Sequence, residues 1–169
     1  QQALELELQT QQLQDQAAEM EAQQAELEAQ TEELQAANDE LQTATRTAAE
    51  LSTITAALCR AWRGDSGAIV DRDVLRLFWS PSGVPGSTWR LGWDGPAPSG
   101  SQAGTRLPRT AVGHLGFTGC SLWIDPERET FVLVLSNRVH PIPRDDPRFK
   151  ALRPAINDAA LDGAGYPGS

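Results

Sequence analysis

The residues able to carry polar chemistry are few. Two histidines (His114 and His140), one lysine (Lys150), one tyrosine (Tyr166) and two cysteines (Cys59 and Cys120) are the whole supply of their types. The cysteines stand in no C-x-x-C or Cys/His ligand spacing, so neither a metal site nor a redox pair is expected. Each reads as a buried free thiol, Cys59 on a helix-like stretch and Cys120 in a strand-like run. His140 lies between Val139 and Pro141 in a loop and reads as structural. His114 opens the triplet His114-Leu115-Gly116 and, taken alone, is better explained by a strand-start histidine bonded to backbone. Nucleophilic catalysis needs an activated hydroxyl or thiol with a base in reach. Serine, histidine and aspartate are all present, but their spacing supports no triad and there is no G-x-S-x-G elbow.

Those residues all sit in the second of two compositionally distinct parts, Cys59 near its start. Residues 1–50 hold twelve acids against one arginine and no Gly, Pro or aromatic. Residues 51–169 hold eleven acids against thirteen Lys or Arg, and every Gly, Pro, Trp and Phe. The net charge of −9 is thus an acidic segment joined to a nearly neutral one. An acidic lead segment makes nucleic acid an unfavourable partner, because binding it requires cations that replace phosphate counterions. No apolar run approaches the ~20 residues a membrane span needs. The Gln-rich, acidic N-terminus shows no signal peptide. Beginning at Gln1, the chain reads as a piece, and its compartment stays unassigned.

The first part repeats every seven residues. Leu6, Leu13, Met20, Leu27, Leu34 and Leu41 occupy d of a heptad, among residues that favour helix. The a positions, Thr10, Ala17, Gln24, Thr31, Asn38 and Thr45, are polar or small, so the seam should be weak alone. Asn38 at a favours a parallel dimer in register. Residues 1–46 are therefore expected to form a coiled-coil helix and to support a parallel homodimer. The plainer alternative is a solvated spacer helix.

Helical spacing continues over residues 47–62 through Ala48, Leu51, Ile54, Ala57, Leu58 and Ala61, with Gly64 and Gly67 ending it. Asp71 is placed to cap a short helix from Arg72 to Phe78. Residues 88–93 read as a short strand with Trp89, Leu91 and Trp93 on one face, and residues 94–109 as a Gly/Pro loop. Residues 116–124 and Phe131–Leu135 read as two strands of an antiparallel hairpin turning through Asp125–Glu129. The unbroken apolar second strand implies helices on both faces of the sheet. Residues 146–161 read as a last helix with Phe149, Leu152, Ile156 and Ala160 on one face, Pro147 in its first turn and Pro154 inside. Residues 162–169 read as a flexible tail. The expected class is α+β: a long N-terminal helix, then a partial antiparallel sheet of about three strands with flanking helices.

Val112-Gly-His-Leu-Gly-Phe-Thr-Gly119, continued by Cys120-Ser-Leu-Trp-Ile-Asp-Pro-Glu-Arg128 and Val132-Leu-Val-Leu-Ser-Asn-Arg138, resembles the C-terminal region of β-lactamase-related serine hydrolases. The resemblance runs over about residues 47–161. Thr31–Leu41 resembles, in composition, the linker coils of bacterial sensor histidine kinases. The hydrolase resemblance implies ester, peptide or β-lactam hydrolysis through an acyl-enzyme, on a small-molecule ester or amide and without a cofactor. It places His114-Leu115-Gly116 as the family's third motif on an edge strand. Gly116 would let backbone approach a substrate carbonyl, the Phe117 amide would serve as an oxyanion donor, and His114 would orient the polar network. The family's other two motifs are absent. A Ser-x-x-Lys ending at Lys150 would need serine where Pro147 stands, and a Tyr-x-Asn starting at Tyr166 would need asparagine where Gly168 stands. The expectation is an incomplete serine hydrolase domain joined to a coil and inactive alone, with exposed apolar surface involving some of Trp79, Trp89, Trp93, Phe117 and Phe131.

Overall fold

The computed structural model describes residues 2–139 and 147–167. His140 and Asp146, the first residue of the expected last helix, lie outside them. The chain divides into two compact units, Gln1–Arg46 and Thr47–Ser169. Its elements are α1 (Gln2–Arg63), α2 (Arg72–Trp79), β1 (Val112–Leu115), β2 (Ser121–Asp125), β3 (Thr130–Val134) and α3 (Pro147–Gly163), an α+β set.

In the first unit every described side chain is exposed, the d-position leucines and Met20 included. Two of the three threonines at a bond their hydroxyls within the helix. Thr10 donates to the Leu6 carbonyl at 2.8 Å and Thr31 to that of Leu27 at 2.7 Å. Such bonds to the preceding turn are the usual outlet for a mid-helix threonine.

In the second unit α1 ends at Arg63, as the glycine signal required. Gly64 takes φ +83°, its N–H donates to the Ala61 carbonyl, and the Asp65 N–H reaches back to Arg60. That is the Schellman pattern, which closes the last orphan carbonyls of a helix. α2 starts where expected, with the Asp71 carboxylate accepting from the amides of Asp73 (2.8 Å) and Val74 (3.2 Å).

The sheet has the order β1-β2-β3, both pairs antiparallel. Alternating side chains split the core into one layer on each face. Cys59 and Ala61 of α1, Leu75 and Trp79 of α2, and Val112 and Ile124 of the sheet form one layer. Trp123, Val132, Leu161 of α3, Tyr166 and the loop residues Ala103, Leu107 and Ala111 form the other. Helices therefore cover both faces, as the apolar run of β3 implied. Trp79 stacks on Trp62 (5.4 Å) and meets Trp93 edge-on (5.6 Å), which ties α2 to the end of α1 and to the following loop.

Three expectations need correction. Residues 88–93 make no strand: Trp89 makes only an isolated bridge to Asp94, which in turn bridges to Gly113 of β1, and Gly92 (φ +74°) turns the chain between Trp89 and Asp94. The expected strand 116–124 is broken by the turn at 116–119, so β1 lies upstream of it and β2 starts at Ser121. On α3 the buried residues are Arg153, Asn157 and Leu161, whereas Leu152 and Ile156 face outward. Polar bonds to the loop before β1 decide that rotation. Asn157 Nδ2 donates to the Gln102 carbonyl (2.9 Å), and Asp158 accepts from the amides of Thr105 and Arg106. Gly104 makes room for it, since a Cβ there would lie 2.2 Å from Asp158 Oδ1. Of the aromatics expected at the surface, Trp89 and Phe117 are exposed, while Trp79 is buried and Trp93 and Phe131 are half-buried.

Candidate functional site

β1 is an edge of the three-stranded ladder and carries His114 and Leu115, with Gly116 and Phe117 just beyond its end. His114 sits opposite Leu122 and is exposed. It therefore shares the face of Leu122 and Ile124, the α1–α2 side. Gly116 and Phe117 instead open onto a groove of about 570 Å³ on the α3 side, whose lining includes Arg138, Phe149, Lys150 and Arg153. The structure thus brings two of the three expected site residues together and leaves His114 on the other face.

The turn after β1 is held from within. The Gly116 N–H donates to the Cys120 carbonyl (2.7 Å), and the Gly119 N–H donates to the Gly116 carbonyl (3.1 Å). The second bond orients the Gly116–Phe117 peptide. In a trans peptide N–H and C=O point opposite ways, so the Phe117 amide is directed away from the Gly119 amide. Arg138 Nε donates to the Phe117 carbonyl at 3.0 Å and fixes the next peptide. The missing side chain at Gly116 serves the turn itself, because a Cβ would meet Cβ and the carbonyl oxygen of Cys120 at 3.2 Å.

Gly113 and Gly119 matter at least as much and were not singled out in the sequence. A Cβ on Gly113 would lie 2.2 Å from Cε3 of Trp123. Gly119 has φ +105°, with Ser136 Oγ 2.5 Å and Phe149 Cζ 2.8 Å from where its Cβ would be. The only sequence signal was the density of glycine in Gly113–Gly119.

The sole tyrosine is committed elsewhere. Tyr166, in the expected tail, is 7% exposed, and its hydroxyl donates to Asp125 Oδ2 at 2.6 Å. Burial, then the hydrogen bond to Asp125, pushes the phenol up to about 12. The sole lysine, Lys150, is exposed on α3 beside the groove. Burial also pushes up the Cys59 thiol, which suits a packed rather than a reactive cysteine. Among the described residues no group of three His, Cys, Asp or Glu side chains could hold a metal ion, and no helix is long and apolar enough to cross a membrane.

Over residues 5–156 the chain matches the family model described as Beta-lactamase. No curated protein and no solved structure matches it. The family match starts inside α1, well upstream of Thr47, where the sequence resemblance begins. Covering most of the chain, it shows that the protein belongs to the β-lactamase family.

Proposed function

We propose that residues 47–161 carry the oxyanion side of a serine hydrolase site and do not hydrolyse ester, peptide or β-lactam bonds by themselves. The observation that carries this reading is the placement of the two groups that would have to act as bases. The Tyr166 hydroxyl donates a hydrogen bond to a buried carboxylate, and burial with that bond pushes its pKa up to about 12, far from the operating range of a general base. Lys150 has Pro147, not serine, three residues before it. Gly116 and Phe117 supply backbone at the end of an edge strand beside an open groove, which suits stabilisation of developing negative charge. Stabilisation without a nucleophile gives no acyl-enzyme.

The test is hydrolysis of a chromogenic cephalosporin and a chromogenic short-chain ester by the purified chain, with a serine-reactive fluorophosphonate probe read by intact mass. The expected result is no turnover and no adduct. Turnover with a labelled serine would overturn the proposal and identify the nucleophile.

A second reading gives the first unit the function. The d residues are 63–71% exposed at seven-residue spacing, which favours a parallel homodimerisation helix. The linker-coil resemblance of Thr31–Leu41 suits the same role.

A further inference from the structure

We propose that the groove between the Gly116–Gly119 turn and α3 binds a small aromatic carboxylate, with Arg153 and Lys150 facing its charge and Phe117 and Phe149 its ring. Among the described residues that line the groove, three side chains are cationic (Arg138, Lys150 and Arg153) and none is acidic. Arg153 is the decisive one. It is 7% exposed, yet among the described residues no carboxylate pairs with it. Its Nη1 donates to Gln102 Oε1 at 3.3 Å and its Nη2 to the Gly119 carbonyl at 3.4 Å, both long bonds to neutral acceptors. Its Nε is buried with no hydrogen-bond partner among the described residues. A guanidinium buried without a counter-ion is costly, and an arriving anion would relieve that cost. Burial, then the charge of Arg138, depresses the Arg153 pKa, the mark of a cation lacking its anion.

The walls suit an aromatic ligand. The Phe149 ring lies 5.0 Å from the Arg153 guanidinium carbon, and Arg138 is within 6 Å of both Phe117 (5.8 Å) and Phe149 (5.9 Å). Gly119, whose carbonyl accepts from Arg153, is fixed by its positive φ and tight surroundings, so it holds the Arg153 guanidinium against a rigid turn. The Ser136 hydroxyl beside Gly119 is a second buried polar atom without a partner. His114 lies on the opposite sheet face, so this is a binding site and needs no hydrolytic chemistry.

The experiment titrates benzoate, benzyl alcohol and inorganic phosphate into the isotopically labelled full chain and follows the amide signals of Gly116, Phe117 and Gly119. Benzoate is expected to give saturable shifts. Benzyl alcohol should bind about tenfold or more weakly, the scale of one charge-assisted hydrogen bond. Phosphate, lacking the ring, should also bind more weakly than benzoate. Arg153→Gln should abolish benzoate binding. If that buried substitution unfolds the chain, Lys150→Gln at an exposed position keeps the test decisive, with an expected loss of about tenfold in affinity. The proposal is overturned if benzyl alcohol binds as tightly as benzoate, if benzoate shifts do not saturate, or if Lys150→Gln leaves benzoate binding unchanged. Since no turnover is measured, the outcome is independent of whether the chain hydrolyses anything.

Discussion

A buried carboxylate survives only where donors surround it, and Asp125 has three. Its Oδ2 accepts from the Tyr166 hydroxyl and, at 3.0 Å, from Arg128 Nη1, while Oδ1 accepts from the Glu127 amide at 3.1 Å. Tyr166→Phe removes one donor and leaves the rest of the packing, so it should cost about 1–3 kcal/mol in urea unfolding. Its pH signature is more specific. The folded phenol titrates near 12 and an unfolded one near ~10, so the folded state holds this proton more tightly. That contribution is complete below the unfolded value and is lost as the pH rises toward 12. Tyr166→Phe should flatten this limb of the alkaline stability profile, leaving the limb from the raised Cys59 thiol, which begins at lower pH. An unchanged limb would remove Tyr166 as its source. None of this was legible in the sequence. Tyr166 stands alone between Gly165 and Pro167, where no period marks a residue as buried.

Caps and helices were legible because their signals are local. Gly64 needs a left-handed backbone and Asp71 needs only the amides two and three residues on, so each could be read from its own neighbourhood. The rotation of α3 could not. Its apolar spacing favours Leu152 and Ile156, but the bonds of Asn157 and Asp158 come from residues about fifty positions upstream. Likewise Trp89, Leu91 and Trp93 alternate as a strand would, yet the chain reverses at Gly92. The His-x-Gly triplet was found, but its split across two sheet faces depends on where β1 ends. Gly113 shows how tightly that strand is packed. An added methyl would meet both the Trp123 ring and, at 2.6 Å, the Leu122 carbonyl oxygen, which is backbone and cannot swing aside. Gly113→Ala should therefore destabilise the second unit by about 1–3 kcal/mol or more, the scale of core overpacking. Near-ultraviolet dichroism of the tryptophans during urea unfolding reports it, and a variant as stable as the parent would mean the strand can shift.

At the scale of the whole molecule, two kinds of exposed apolar surface are available for association. The second unit exposes apolar residues on α1 (Ile54), α2 (Val74, Leu77 and Phe78) and α3 (Leu152 and Ile156), at Leu135, and on its loops and turns (Ile69, Val84, Trp89, Leu91 and Phe117), without one regular heptad stripe. The first unit exposes six d residues in one stripe. A regular stripe can be matched by a copy of itself at every layer, whereas scattered residues cannot. Burying a leucine is worth about 1.5–3 kcal/mol, so six layers outweigh a seam weakened by polar a positions. The a-position hydroxyls of Thr10 and Thr31 already bond to their own helix, which lowers the cost of covering them. The 18.3 kDa chain is therefore expected to sediment as a dimer at micromolar concentration. Leu27→Glu together with Leu34→Glu should return it to a monomer while the near-ultraviolet dichroism of its tryptophans, all in the second unit, stays unchanged. A double variant that still associates would move the interface to the second unit, and substitution of Trp89 and Leu152 would then be the change that separates the copies.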